Sequence, residues 1–189
     1  MSDISVIHKR IVKTLLLGAL GGVIASIVMY PFLFLTTSMM GIPLDDLSIA
    51  RGMAISNIND NYYLNLTLGI GMHLLTGAIA GAIFTIIVST VKKFRIINFK
   101  RGIMEGIVYS IIIFIVLYIP TTMSMVYPNL IDIMNQSSPA QSSLKDQKTV
   151  EQNLVPIYGF GFIAHIMFGV ILGFVTSLLN FRGYIILSK

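Results

Sequence analysis

Two histidines lie inside apolar stretches of this chain, and their settings match. His73 stands in the series Gly69, His73, Gly77, Gly81, and His165 in the series Gly161, His165, Gly169, Gly173, at a constant offset of 92 residues (73 to 165). An imidazole in hydrocarbon needs a partner, and it can act as a proton relay, an ion ligand or an axial ligand to haem, copper or zinc. A neutral imidazole can equally hydrogen-bond a neighbouring helix, through Ser26, Ser110 or a backbone carbonyl, and so fix its register. Spacing sets a discriminator between these roles. Helices touching through their glycines leave no room for a macrocycle, whereas a bis-histidine haem needs them splayed. No cofactor is required by the sequence; haem and copper are the ones His73 and His165 could take.

Other reactive candidates are few. Glu105 follows Arg101 by four residues, which reads as a helical ion pair at the membrane boundary, with a proton or cation path as the alternative. Met39, Met40, Met123 and Met125 close two apolar stretches; thioethers can gather Cu(I), and flexible apolar packing is the other reading. Asp45 and Asp46 read as a helix cap. The sequons at Asn65 and Asn135 are assigned no glycan, the first being too near the membrane. There is no cysteine, which excludes disulfides, thiolate metal sites and cysteine nucleophiles. No P-loop, H-E-x-x-H pair, G-x-S-x-G elbow or Rossmann glycine pattern stands in a suitable context, so no catalytic residue is assigned.

The elements that must position these residues are membrane helices. Hydrophobic residues make up 55% of the 189 and charged residues 11%, with a mean hydropathy of +0.84, more apolar surface than one soluble core can hide. About 20 apolar residues cross the hydrocarbon. Four stretches meet that length, from about Ile11 to Thr36, Leu66 to Val91, Gly102 to Met123 and Ile157 to Phe181. The net charge of +5 is clustered beside them rather than spread over a polar surface, which argues against nucleic-acid binding. Ten of the 13 basic residues fall on one side: Lys9, Arg10 and Lys13, then Lys92, Lys93, Arg95, Lys100 and Arg101, then Arg182 and Lys189. The other loops carry Arg51, Lys145 and Lys148 against six acidic residues. Basic residues are retained inside, so both termini are expected in the cytoplasm and the chain in the plasma membrane.

The matched histidine series extends to the other two stretches. Gly18, Gly22 and Ser26 correspond to Gly102, Gly106 and Ser110 at an offset of 84 residues (18 to 102). The pattern predicts one transmembrane domain over residues 1–189, a four-helix bundle made by tandem, parallel duplication of a helical hairpin, with repeats at about 11–91 and 100–181. Glycines four apart share a helix face and let backbones approach, so these residues are read as packing seams. The opposite face of the third stretch, Ile111, Ile112, Ile113, Ile115, Val116 and Leu117, is bulky and suited to lipid or a partner subunit. Pro31 and Pro120 are expected to kink or end their helices. Tyr30, Tyr62, Tyr63, Tyr118, Tyr127 and Tyr158 are expected near the outer interface. Between the first two spans, Leu47, Ala50, Ala54 and Ile58 predict a short helix on the outer surface. Residues 135–152 are polar and expected to be mobile.

The order of small-residue seam, proline and a helix bearing G-x-x-x-H-x-x-x-G resembles YagU-like bacterial inner-membrane proteins. The resemblance rests on Gly18, Gly22, Pro31, Gly69, His73 and Gly77, with a second copy at Gly102, Gly106, Gly161, His165 and Gly169, and covers the helices but not the loops. It implies a helical membrane fold and transfers no activity. The leading expectation is a non-catalytic subunit packed against lipid and other helical chains or itself. In size and type it is similar to the small accessory chains of respiratory complexes and of copper monooxygenases such as archaeal ammonia monooxygenase. A small proton, ion or solute transporter, and a haem- or metal-binding electron-transfer bundle, are the alternatives.

Overall fold

Apolar residues in runs longer than a bilayer is thick leave the backbone no water to bond, so the chain satisfies its amides within helices. The structure, a computed structural model, describes residues 2–40, 43, 45–58, 61–137 and 145–181, and no strand occurs among them. Helix α1 is Ser2–Met40, α2 is Asp46–Ser56 and α3 is Tyr62–Thr90. Helix α4 covers residues 99–137 and α5 is Lys145–Phe181. Four segments are long and apolar enough to cross a membrane: His8–Met39, Tyr62–Thr90, Phe99–Ile133 and Ile157–Phe181, of 32, 29, 35 and 25 residues. Each exceeds the length of about 20 residues that a bilayer requires.

Neither proline ends its helix. Pro31 lies inside α1, which continues to Met40, where Thr37 turns its hydroxyl back to the Leu33 and Phe34 carbonyls at 3.2 and 3.0 Å. Pro120 is absorbed differently. It sits between two π-helical turns, Phe114–Tyr118 and Thr122–Val126, and α4 runs on through Tyr127–Ser137. The wider turns accommodate a residue that has no N–H and crowds the carbonyl four residues back. The third span is therefore longer than the sequence suggests.

Caps define the ends. Asn98 accepts the Arg101 amide at 2.8 Å before α4, and Asn61 accepts the Leu64 amide at 3.0 Å before α3, each a side-chain oxygen satisfying a first-turn N–H. Asp45 occupies the N-cap of α2 but makes no capping bond; its carboxylate accepts the Tyr62 hydroxyl instead. Asn57 closes α2 with φ 53°, its amide bonded to the Met53 carbonyl at 3.0 Å. Asparagine tolerates that left-handed geometry better than other residues with a Cβ. Residues 138–144, the centre of the polar stretch expected to be mobile, lie outside the described residues.

The chain divides into two compact units. One comprises Met1–Met29, Leu74–Ile113 and His165–Lys189, the other Tyr30–His73 and Phe114–Ala164. The first is called the glycine unit below and the second the tyrosine unit.

In the glycine unit, α1 meets α3 backbone to backbone. A Cβ at Gly22 would strike the Gly77 carbonyl, and one at Gly18 would lie 2.6 Å from the Gly81 carbonyl oxygen. Helices α4 and α5 meet in the same way, at Gly106 against Gly169 and Gly102 against Gly173. The two pairs are joined by Gly21 of α1, whose added Cβ would lie 3.3 Å from Val175, and by the Tyr109 hydroxyl, which donates to the Ala80 carbonyl at 2.9 Å. Asn180 reaches the Ile96 carbonyl at 3.0 Å and ties the end of α5 to the loop before α4. This is a helix bundle held by small residues.

In the tyrosine unit α2 is the short helix expected between the first two spans, and one side of it is packed against the rest of the unit. It buries Leu47, Ser48, Ile49, Ala50, Gly52 and Met53. Its backbone fits against α3 at Gly69, where Ser48 takes the place of a Cβ, while Gly52 receives the backbone of Asn65. Ala50, Val126, Leu130 and Ile157 form the apolar core there, with Ile133 packed on it.

Candidate functional site

The glycines read as one seam divide their work. Gly77 and Gly81 hold α1, but Gly69 holds α2; Gly169 and Gly173 hold α4 by its backbone, but Gly161 is covered by the ring of Tyr118, 2.7 Å from where a Cβ would be. Ser26 and Ser110 complete the two glycine contacts, each hydroxyl filling the space beside Gly77 and Gly169 respectively. Two hydroxyls that the sequence reading missed do the same. Thr85 donates to the Gly81 carbonyl at 2.8 Å and lies against Gly18, and Ser177 donates to the Gly173 carbonyl at 2.7 Å and lies against Gly102. The signal was available, since Thr85 and Ser177 each stand four residues beyond the last glycine of their series.

The histidines are placed in different units. His73 belongs to the tyrosine unit, half-buried, with the ring of Tyr30 edge-on at 5.4 Å. His165, also half-buried, belongs to the glycine unit. Among the described residues no three His, Asp or Glu side chains gather as metal ligands. Glu105 pairs with Arg101, Oε1 to Nε at 3.5 Å, and Arg101 also donates to the Lys93 carbonyl, so it braces the loop before α4. Met39, Met123 and Met125 are exposed and fill no internal gap; the Met40 side chain lies outside the described residues. Asn65 is fully buried, accepting from Ser56 at 2.6 Å and donating to the Ile58 carbonyl at 2.7 Å, and its amide is thereby occupied. The second sequon residue, Asn135, has its side chain outside the described residues.

A charged residue that the sequence reading did not single out is Arg51. Arg51 stands on α2 three residues beyond Ser48, four beyond Leu47 and three before Ala54, on the face that repeats at helical spacing. It is half-buried in the tyrosine unit, within electrostatic reach of the Tyr118 and Tyr30 phenols. Burial lowers its pKa, and Tyr118 and then Tyr30 oppose that shift; a guanidinium still remains a cation at physiological pH. Among the described residues the ion pair found is that of Arg101 with Glu105, and no described carboxylate pairs with Arg51.

Three tyrosines expected at the outer interface turn inward here. The Tyr118 hydroxyl donates to the Ile157 carbonyl at 3.3 Å, and its ring stacks on Phe114 at 5.2 Å and meets Tyr158 edge-on at 6.5 Å. The hydroxyls of Tyr30 and Tyr158 are sealed from solvent and have no hydrogen-bond partner. Ser48 lies beside the Tyr30 hydroxyl, but not in bonding geometry. A buried hydroxyl without a partner costs about 1–3 kcal/mol.

The fold is thus that of an all-helical, multi-pass membrane protein. Comparison with protein-family models, curated proteins and solved structures gave no match.

Proposed function

We propose that this chain is a non-catalytic structural or accessory subunit of a larger complex in the cell membrane, packing against other helical chains. The observation that carries the reading is how little of the third span its own chain covers: 22% of its most apolar window is buried, the lowest of the four. Ile112, Ile115, Val116 and Leu117 stand exposed along it. The small-residue faces are already used within the chain, at Gly102 and Gly106, so this bulky row is what remains for a neighbour.

The reading takes both termini as cytoplasmic, on the distribution of basic residues. It also takes the two hairpins as copies of one unit. The equivalent contacts of Gly22 with Gly77 and Gly106 with Gly169, each braced by a matched hydroxyl, support that origin. A multi-subunit respiratory or copper-monooxygenase assembly is the kind of host such a chain fits. Purification from native membranes in a mild detergent, followed by mass spectrometry, tests the proposal. Larger helical chains should co-purify in fixed ratio. A solitary, stable bundle would overturn it.

A further inference from the structure

In the glycine unit the connection between α3 and α4 is too short to leave the membrane. Residues 91–98 are all that separate the span ending at Thr90 from the one beginning at Phe99, so the loop lies at the depth of lipid headgroups. It carries Lys92, Lys93 and Arg95, with Lys100 just inside α4, and all four are exposed. Glu105 is the one acidic residue between Leu74 and Ile113, and Arg101 already holds it at 3.5 Å, which leaves the loop with a surplus of positive charge. The backbone beneath those charges is fixed. Arg101 donates to the Lys93 carbonyl, Asn180 donates to the Ile96 carbonyl at 3.0 Å, Asn98 accepts the Arg101 amide at 2.8 Å, and Ile96 is buried. A charge that only orients a helix during insertion needs no such bracing. An apolar surface adjoins the cations: Phe99, next to Lys100, meets Phe181 at 4.9 Å and Phe174 at 5.6 Å between ring centroids, and all three rings are exposed.

Cations held at headgroup depth beside exposed aromatic rings match the two ends of one molecule, a lipid with a negative headgroup and apolar chains. We propose that the α3–α4 loop and the rings beside it form a docking surface for an anionic phospholipid, with Lys92, Lys93, Arg95 and Lys100 meeting the headgroup and Phe99, Phe174 and Phe181 the acyl chains. Basic residues next to a membrane helix attract anionic headgroups, and bracing the loop in advance lowers the ordering cost of binding. The closeness of α4 and α5 builds the apolar half. Gly102 and Gly106 bring α4 against Gly173 and Gly169 of α5, and that approach sets Phe99 over the α5 rings. The surface does not depend on a partner subunit, so it stands or falls apart from the function proposed above.

The test uses the full chain, stripped of lipid in a neutral detergent, with thermal unfolding followed by tyrosine fluorescence. One series adds dioctanoyl phosphatidylglycerol, and the other adds dioctanoyl phosphatidylcholine, which has the same chains and no net charge. A saturable rise in the unfolding temperature is expected with the anionic lipid and not with the zwitterionic one, because a ligand bound only by the folded state stabilises it. High salt should diminish the rise by screening. The double variant Lys92→Gln, Lys93→Gln should raise the half-saturating concentration about 25-fold, at about fivefold for each basic residue lost from a membrane surface. Phe174→Ala should raise it about threefold through lost apolar contact, each variant being read against its own lipid-free baseline. Should the double variant not fold, Lys100→Gln decides, with about a fivefold rise expected. No response to phosphatidylglycerol, an equal response to phosphatidylcholine, or an undiminished response in the folded lysine variant or in Phe174→Ala overturns the proposal.

Discussion

The carbonyl of Gly77 occupies the place that a Cβ on Gly22 would take, so α1 and α3 touch through their backbones. Gly81 lies against the same glycine, its added Cβ falling 2.7 Å from the Gly22 Cα. In lipid, where helices gain nothing from hiding apolar surface, such proximity supplies the dispersion and weak C–H···O contacts that hold a bundle together.

Replacing Gly22 with valine should therefore force the two backbones apart and cost about 1–3 kcal/mol, the range for overpacking a dense interior. Gly71 is the internal control, because a Cβ there meets nothing within 4 Å. Gly71→Ala should be neutral or should stabilise by up to about 1 kcal/mol through helix propensity. Thermal unfolding of the two variants in detergent, side by side, separates a packing role from a general need for glycine.

A single hydroxyl gives a smaller, cleaner effect. Tyr109 donates to the Ala80 carbonyl, linking α4 to α3, and its ring packs on Phe84 at 5.2 Å. Tyr109→Phe keeps the ring and removes the bond, so the expected loss is about 0.6 kcal/mol, the average for such bonds between membrane helices. A loss several times larger would mean that the hydroxyl does more than join two helices.

Asn65 should tolerate less. Its amide both accepts from Ser56 and donates to the Ile58 carbonyl inside a site with no exposed surface, where the end of α2 returns to α3. Asn65→Ala removes both bonds and empties a fully buried position, and a destabilisation of about 1–3 kcal/mol should follow. Hydrogen exchange should show the change concentrated at residues 56–65.

Asp46 predicts a pH dependence. Burial first, and the neighbouring Asp45 charge second, raise its pKa above the ordinary 3.8. The folded state then holds the proton more tightly than the unfolded chain, so this group's contribution to stability falls as pH rises from below 3.8 through the raised value. Asp46→Asn should consequently raise the unfolding temperature at neutral pH, and the gain should vanish below the ordinary carboxylate range. A gain independent of pH would assign the effect to something other than the charge.

Hydropathy made the four spans legible, because a helix is the answer to apolar length in a bilayer whatever its neighbours do. The end of the third span was not legible. Pro120 normally stops a helix, and only the π turns on either side of it carry α4 onward. The seam glycines were visible as a period of four, but period alone could not say that Gly69 receives α2 and Gly161 a tyrosine ring. Arg51 was hidden by its place in a polar loop with acidic neighbours, which reads as solvated surface until α2 is seen to fold inward. The same reason concealed Tyr30, Tyr118 and Tyr158: an amphipathic ring near a membrane boundary looks alike in sequence whether its hydroxyl meets water or is sealed within the unit.

The role proposed for the chain rests on what covers the outward row of the third span, and Val116, 61% exposed, stands in that row. A photo-crosslinking residue placed at Val116 and activated in native membranes reports its neighbour directly. The account predicts a discrete adduct with another polypeptide, lost when a bulky charged residue is introduced at Ile112. Adducts with lipid alone would contradict it.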